Sequence, residues 1–305
     1  MIRFLLRRLA ISVLVALSVS IVAFALLRMS GDLAQELAGE RATAEQVEAV
    51  RVANGLDRPL PVQYLDWAQR ALRGDLGVSL FSGEPAASLI AARLPVTATL
   101  ALTSMALALA LAVPLGVIAA TRPNSWIDRV SLMLAVFGQA IPNFWFGLIL
   151  MLVFGVYLRW TPISGSDTLA HFVLPSVTLG LSAMPAIMRM TRSGMIDALD
   201  ADYVRTARAK GLLMPAVLVR HALRNAVLPV VSITAVQLGA LLGGSVVVES
   251  VFALNGIGQL AYQSIQRLDF PVVQAIVLMV SFIYIVLTFL SDIANARLDP
   301  RIRLA

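Results

Sequence analysis

Six stretches of this 305-residue chain are apolar for about 20 residues, the length a helix needs to cross a hydrocarbon layer about 30 Å thick. A bilayer offers no water to unpaired backbone groups, so such runs must be helices. The first is Leu9–Leu27, free of charge and preceded by Arg3, Arg7 and Arg8. Val96–Ala120 contains Pro114, and the longer Val130–Leu158 carries Pro142. The fourth, Thr168–Met188, is the weakest, with His171, Pro175 and Pro185 inside it. Ala226–Val248 and Val272–Ser291 complete the set. Composition agrees: 59% of residues are hydrophobic and 14% charged, against about 45–50% and about 25% in soluble domains. The expected fold is an all-α integral membrane protein with six transmembrane helices.

Charge orients the bundle. With the N-terminus in the cytoplasm, the inside segments 1–8, 121–129, 189–225 and 292–305 hold 15 basic and 6 acidic residues. The outside segments 28–95, 159–167 and 249–271 hold 9 basic and 12 acidic. The net +6 thus divides into +9 inside and −3 outside, which favours both termini inside. The first span exceeds the usual 7–15-residue core of a signal peptide and lacks a prompt small-x-small cleavage site, so an uncleaved anchor is expected. The chain divides into a tail and first helix (1–29), an extracytoplasmic loop (30–95), a five-helix core (96–291) and a cytoplasmic tail (292–305).

Two loops exceed mere connectors. In 30–95, Thr43-x-x-Gln46 has the form of a capping box. After Pro59 and Pro61, Val62, Leu65, Ala68 and Leu72 recur at helical spacing, and Gly74-Asp-Leu-Gly77 reads as a turn. These amphipathic helices suit a surface cap or a docking platform, and their mixed charge does not decide. The inside loop 189–225 carries seven basic residues and Asp197, Asp200 and Asp202, acids before bases. That order predicts a short helix from near Asp197, aligned with its dipole, broken at Gly211 and restarted at Met214-Pro215. Binding to lipid headgroups explains such a basic loop as well as a protein partner does. Nucleic acid does not, since Tyr203 is its only aromatic residue.

Here the sequence becomes specific. Tyr203-Val-Arg-Thr-Ala-Arg-Ala-Lys-Gly211 and Arg220-His-Ala-Leu-Arg-Asn-Ala-Val-Leu-Pro229 resemble the coupling-loop signature of bacterial ABC importer permeases. More narrowly, they are similar to the first permease subunit of dipeptide, oligopeptide and nickel importers. The similarity extends from Ile2–Arg8 through Gly55–Tyr64, Gly74–Gly77, Leu94-Pro95, Ile141-Pro-x-Phe-Trp145, Leu174-Pro175 and Gly239–Gly244 to Leu298–Arg303. The general signature is Glu-Ala-Ala, three residues, Gly, nine residues, Ile-x-Leu-Pro. Here Arg205, Thr206 and Ala207 occupy the first three positions, and Arg224 replaces the proline, with Pro229 following. These departures match the peptide and nickel branch. The resemblance implies a type I ABC importer permease fold and a subunit of the bacterial cytoplasmic membrane. It implies import of di- or oligopeptides, or alternatively nickel or another small solute. It also implies a homologous second permease, two ATP-binding subunits or domains, and an extracytoplasmic substrate-binding protein. Segment 197–214, with Asp202, Tyr203, Arg205, Thr206, Ala207, Arg208, Ala209, Lys210 and Gly211, would couple to the ATPase. Small Ala207 and Ala209 would allow close docking.

The residues themselves support little covalent chemistry. There is no Cys, only His171 and His221, and no Gly-x-x-x-x-Gly-Lys-Ser/Thr phosphate loop. No catalytic residue, metal or cofactor is expected on this chain, and the resemblance implies that ATP and magnesium act on the partner subunits. Gly243-Gly244-Ser245 suggests close helix packing. Possible pathway residues are Gln139, Asn143, Gln237 and Glu249. For the amides, helix–helix hydrogen bonds compete with substrate contact. For Glu249, at the outer end of the fifth span, ordinary solvation is the leading expectation. Pro114, Pro142, Pro175, Pro185 and Pro229 can kink spans. A stand-alone secondary transporter is the runner-up, but no inverted repeat is evident and acids are scarce within the spans.

Overall fold

The computed structural model describes residues 2–39 and 41–298. Helix α1 (Ile2–Ser30) leads to three short helices, α2 (Leu33–Ala38), α3 (Ala44–Ala53) and α4 (Leu60–Leu72). Long α5 (Ala86–Thr121) is followed by α6 (Trp126–Ala140) and α7 (Asn143–Leu150), the latter prolonged by π-helical Met151–Tyr157. A 3-10 turn at Leu169–Phe172 opens α8 (Val173–Asp200), after which come α9 (Asp202–Ala209) and α10 (Met214–Ala216). A second π-helical stretch, Val217–Ala222, runs into α11 (Leu223–Val251), and α12 (Ile257–Gln266) and α13 (Phe270–Leu298) follow. Among the described residues the one isolated β-bridge joins Val78 to Pro85. The closing sequence motif beyond Leu298 lies outside the described residues.

Among the described residues, five helices are long and apolar enough to cross a membrane unbroken. The expected third span is not one helix. It breaks between α6 and α7 with a bend of 97°. Pro142 supplies the cause: it has no N–H to continue the ladder, and it disfavours helical geometry at the preceding Ile141, which is extended at φ −85°, ψ 129°. Pro114, Pro185 and Pro229 lie inside continuous helices, and Pro175 sits in the first turn of α8, where a missing N–H breaks nothing.

The fourth span also differs from expectation. It is longer, running to Asp200, and it is the centre of the bundle: 67% of its most apolar window is buried, against 11% for α1 and 17% for α13. Leu179, Ala183, Ile187 and Met188 of α8 meet Leu100, Ala108 and Ala112 of α5 and Val230, Leu241 and Val248 of α11 in the main core. Two glycines permit the closest approach. A Cβ on Gly180 would stand 2.7 Å from the Ser104 carbonyl oxygen, and one on Gly116 2.9 Å from that of Met188. Gly243, by contrast, is exposed, and a Cβ there would meet nothing. In this region it is Gly239 whose missing Cβ admits a neighbour, the ring of Tyr284 on α13.

The bundle has two distinct ends. At one, Ala86 and Ile90 of α5 pack with Ile257, Leu260, Val272 and Ile276. The 31–85 segment covers this end. Thr43 and Gln46 form the expected capping box of α3. Tyr64 and Trp67 of α4 stack near Phe24 of α1, with ring centroids 5.5 and 5.7 Å away. At the other end, Ala120, Met195, Ala198, Ala222 and Ala226 form a small separate core beside α9.

Candidate functional site

Helix α8 stops at Asp200, and α9 begins at Asp202, five residues beyond the start expected near Asp197. Ala201 is extended (φ −71°, ψ 148°), and α9 then makes about two turns, with Asp202 in the first and Arg208 in the last. The acid-before-base polarity thus belongs to α9 itself, and Asp197 and Asp200 finish α8. Gly211 lies at φ +78°. Its N–H donates to the Arg208 carbonyl at 2.9 Å, and the Leu212 N–H donates to the Ala207 carbonyl at 3.3 Å. This is a Schellman closure, which needs a left-handed residue and therefore favours glycine. The chain restarts at Met214-Pro215, as expected.

One face of α9 is committed inward. Val204 and Ala207 are buried against Val217 of the π-helical stretch, with Leu199 alongside. Ala207 therefore does not present a docking surface, contrary to the sequence reading, because its position on the helix turns it toward the bundle. Asp202, Tyr203, Arg205, Thr206, Arg208, Ala209, Lys210 and Gly211 are all exposed. Arg205 reaches Asp202 at 3.4 Å, and the Thr206 hydroxyl donates to the Asp202 carbonyl at 3.0 Å. Beside these polar groups lie Leu212, Leu213 and Met214, exposed by 42%, 77% and 47%. Reasoning from charge alone passed over them, though three consecutive large apolar residues after a glycine break are visible in the sequence. The resulting face is apolar at one edge and cationic at the other.

This end is braced by a contact that the sequence did not reveal. Arg192 of α8 grips Asp128 of α6 through both oxygens, Nε and Nη2 each donating at 2.6 Å, and the Asn124 N–H donates to the same carboxylate at 2.8 Å. Asp128 is buried. Two residues 64 positions apart give no local pattern from which to infer the pair.

The four possible pathway residues do not converge. Gln139 and Asn143 flank the α6–α7 break, the first exposed and the second half-buried. Gln237 on α11 donates to the Ala183 carbonyl of α8 at 3.4 Å, a helix-to-helix tie. Glu249 corrects the expectation of solvation: it is completely buried. Its Oε1 accepts from the Thr97 hydroxyl of α5 at 2.8 Å, and its Oε2 accepts from the Gln259 N–H at 3.0 Å. Thr97 Oγ1 in turn accepts from the Ile257 N–H at 2.8 Å. Gly256, at the N-cap of α12, has no side chain to satisfy that helix's first amides. Thr97 and Glu249 do so from two other helices. The price in sequence is glycine at 256 and 258, since a Cβ at either would run into Glu249 or, at Gly258, the Val246 backbone at 2.7 Å. His171 has a local role too: its Nδ1 lies 2.9 Å from the Thr168 hydroxyl and closes the turn before α8.

A polytopic helical bundle with a short exposed helix–glycine–restart unit at one end defines a class. Residues 112–304 match the model of the binding-protein-dependent transport system inner membrane component, and residues 1–101 match its N-terminal companion. The chain belongs to this family and is a multi-pass permease subunit of a bacterial ABC importer, resident in the inner membrane. In particular, it is 43% identical over 275 residues to the glutathione transport system permease protein GsiC of Pectobacterium atrosepticum, covering 90% of each chain. The protein of the same name from Escherichia coli is 42% identical over 286 residues, 93% of this chain and 94% of that one. Among solved structures, an inward-facing MetNI methionine ABC transporter superposes with a TM-score of 0.59 at 18% identity, over 69% of this chain and 96% of its own. An amino acid ABC transporter gives 0.52 at 15% identity, over 69% and 94%. The type I importer fold expected from the coupling-loop motif is thus the fold observed.

Proposed function

We propose that this subunit forms half of the translocation pathway for short peptides, with glutathione, a tripeptide, as the leading substrate. The observation that carries this reading is the 43% identity to a glutathione transport permease over 90% of both chains. A homologous permease supplies the other half, two ATP-binding subunits or domains supply the energy, and an extracytoplasmic binding protein selects the ligand. This chain performs no catalysis, holds no cofactor, and binds no nucleic acid. ATP and magnesium act on the partners. Both termini lie in the cytoplasm, which places α9 on the ATPase side and the 31–85 cap outside, as the +9 and −3 charge partition favours.

In this reading α9 and the Leu212–Met214 ridge enter a groove on an ATPase subunit, which covers the exposed apolar edge. Arg205, Arg208 and Lys210 meet its acidic groups. Val204 and Ala207, packed on Val217, make α9 a lever rigidly joined to α11. Gly211→Leu tests the lever. Open space surrounds a Cβ there, so the substitution acts through backbone strain at φ +78°, a cost of about 1–3 kcal/mol. Expected is a chain that reaches the membrane but loses ATP-driven uptake. Undiminished uptake would sink the assignment of α9 as the coupling element. Substrate is tested separately, by mass spectrometry of the ligand carried by the cognate binding protein. A metal chelate there would overturn the peptide reading.

A further inference from the structure

A cavity of about 430 Å³ opens where the cap meets the bundle, between the end of α1, the cap and the start of α13. Its size falls in the range of small-molecule sites, about 300–1,000 Å³. It stands apart from the α5–α8–α11 core. Gly31 and Phe270 are neighbours here, a Cβ on the glycine lying 3.2 Å from the phenyl ring. One helix therefore leaves the apolar layer and the other enters it at this level, three residues after the apolar segment Leu6–Ala25 in the case of Arg28.

Two arginines line the cavity, Arg28 and Arg70. Among the described residues neither forms an ion pair. Arg28 is held over the Phe24 ring, its Cζ 5.1 Å from the centroid. Burial and the neighbouring Arg70 cation push its guanidinium below the ordinary value. One carboxylate, Asp75, shares the wall, but its Oδ1 accepts from the Gly77 N–H, and the balance stays positive. A third polar group is Gln274 of α13, whose Nε2 is buried with no hydrogen-bond partner. Half-buried Arg28 and exposed Arg70, neither in an ion pair, and the buried Gln274 donor without an acceptor together suit an acceptor-rich anion. Around them the wall is apolar and aromatic, with Phe24 and Trp67. Trp at this depth is typical of the bilayer interface.

We propose that this cavity binds the phosphate of an anionic phospholipid, taken between Arg28 and Arg70 with Gln274 donating to it, while the acyl chains run down the exposed apolar face of α1. Leu14, Ile21 and Val22 on that face are exposed by 62%, 46% and 55%, as acyl contact requires. The lipid joins the cap to α1 and α13 and relieves the repulsion between the arginines. The same phosphoryl chemistry is available from free phosphate, but depth in the interface and the apolar wall favour the lipid.

The test uses the full chain, purified with the subunits that accompany it, and native mass spectrometry with added phosphatidylglycerol. One tightly held phosphatidylglycerol per chain is expected. Each arginine near a lipid surface contributes about fivefold in affinity, so R70Q should bind about fivefold more weakly and R28Q/R70Q about 30-fold. The charge-preserving R28K/R70K should stay close to wild type, separating lost charge from misfolding. R51Q, whose arginine pairs with Asp32, should bind normally. Equal binding by R28Q/R70Q and wild type would overturn the site. Equal retention of phosphatidylcholine would overturn its preference for anionic lipid. Displacement of phosphatidylglycerol by millimolar inorganic phosphate would overturn the lipid as the occupant.

Discussion

Glu249→Ala should release α12 from the bundle while leaving the bundle itself folded. The side chain is fully buried and holds three helices: α11, which carries it, α5 through Thr97, and α12 through the Gln259 N–H. Alanine removes both acceptor oxygens at once. The Gln259 N–H and the Thr97 hydroxyl proton then lose their partners in a site that water does not reach. A hydrogen bond to a carboxylate is worth about 1.5–3 kcal/mol, and two such bonds sharing one side chain are not additive, so about 3 kcal/mol is expected for the pair. That corresponds to about 150-fold in a local opening constant.

The loss stays local because the main core does not use this residue: Leu100, Leu179, Ile187 and Val248 remain packed as before. Amide hydrogen exchange read by mass spectrometry separates the two regions. Peptides spanning 252–269 should lose about two orders of magnitude in protection, and those spanning α8 should be unchanged. Glu249→Gln is the informative partner. Its amide oxygen can still accept from Gln259 and its NH₂ can donate to Thr97 Oγ1, so about 1 kcal/mol, or about fivefold, is expected. If Glu249→Ala leaves protection across 252–269 intact, α12 is held by Ile257 and Leu260 packing alone, and the reasoning fails.

Other parts of the bundle make equally specific demands. Gly180→Val should drive side-chain atoms into the Ser104 carbonyl and cost about 1–3 kcal/mol by overpacking, read as a lower thermal midpoint in detergent. Gly243→Val, facing open space, should not. Asp128→Asn or Arg192→Gln should each cost about 3 kcal/mol by stranding the opposite charge, and the double variant should cost less than the two losses together. In the cap, hydrogen bonding to Arg51 holds the Asp32 carboxyl below the usual range near 3.8. A depressed folded value means that the tie is fully present at neutral pH and is lost as pH falls through that lower value. Proteolysis of the cap should therefore be faster for Asp32→Asn than for wild type at neutral pH, and the difference should vanish in strong acid.

Hydropathy located the apolar segments, yet the span it marks as weakest is the most buried. The fourth reads as weakest because it carries His171, Pro175 and Pro185, and it is the span with the largest buried share. A helix walled by protein needs small and self-satisfied polar residues: the Thr178 and Thr191 hydroxyls donate to carbonyls one turn back, at 2.9 and 2.8 Å. Hydropathy therefore reports contact with lipid, not membership of the core. The same distinction explains what was legible in the coupling loop. Gly211 and Met214-Pro215 act through their own backbone, so their order along the chain suffices to read them. Glu249 and Asp128 act through partners 152 and 64 positions away, and nothing local marks an acid at a membrane edge as buried. The trace that does survive is indirect. Glycine at 258 is a poor residue for a first turn, and glycine at the N-cap 256 brings no capping side chain, a start that something from elsewhere must cap while filling the space a Cβ would take. In a bundle whose spans carry few acids, Glu249 was the carboxylate within reach, so the glycines, not the glutamate, are where the sequence records the contact.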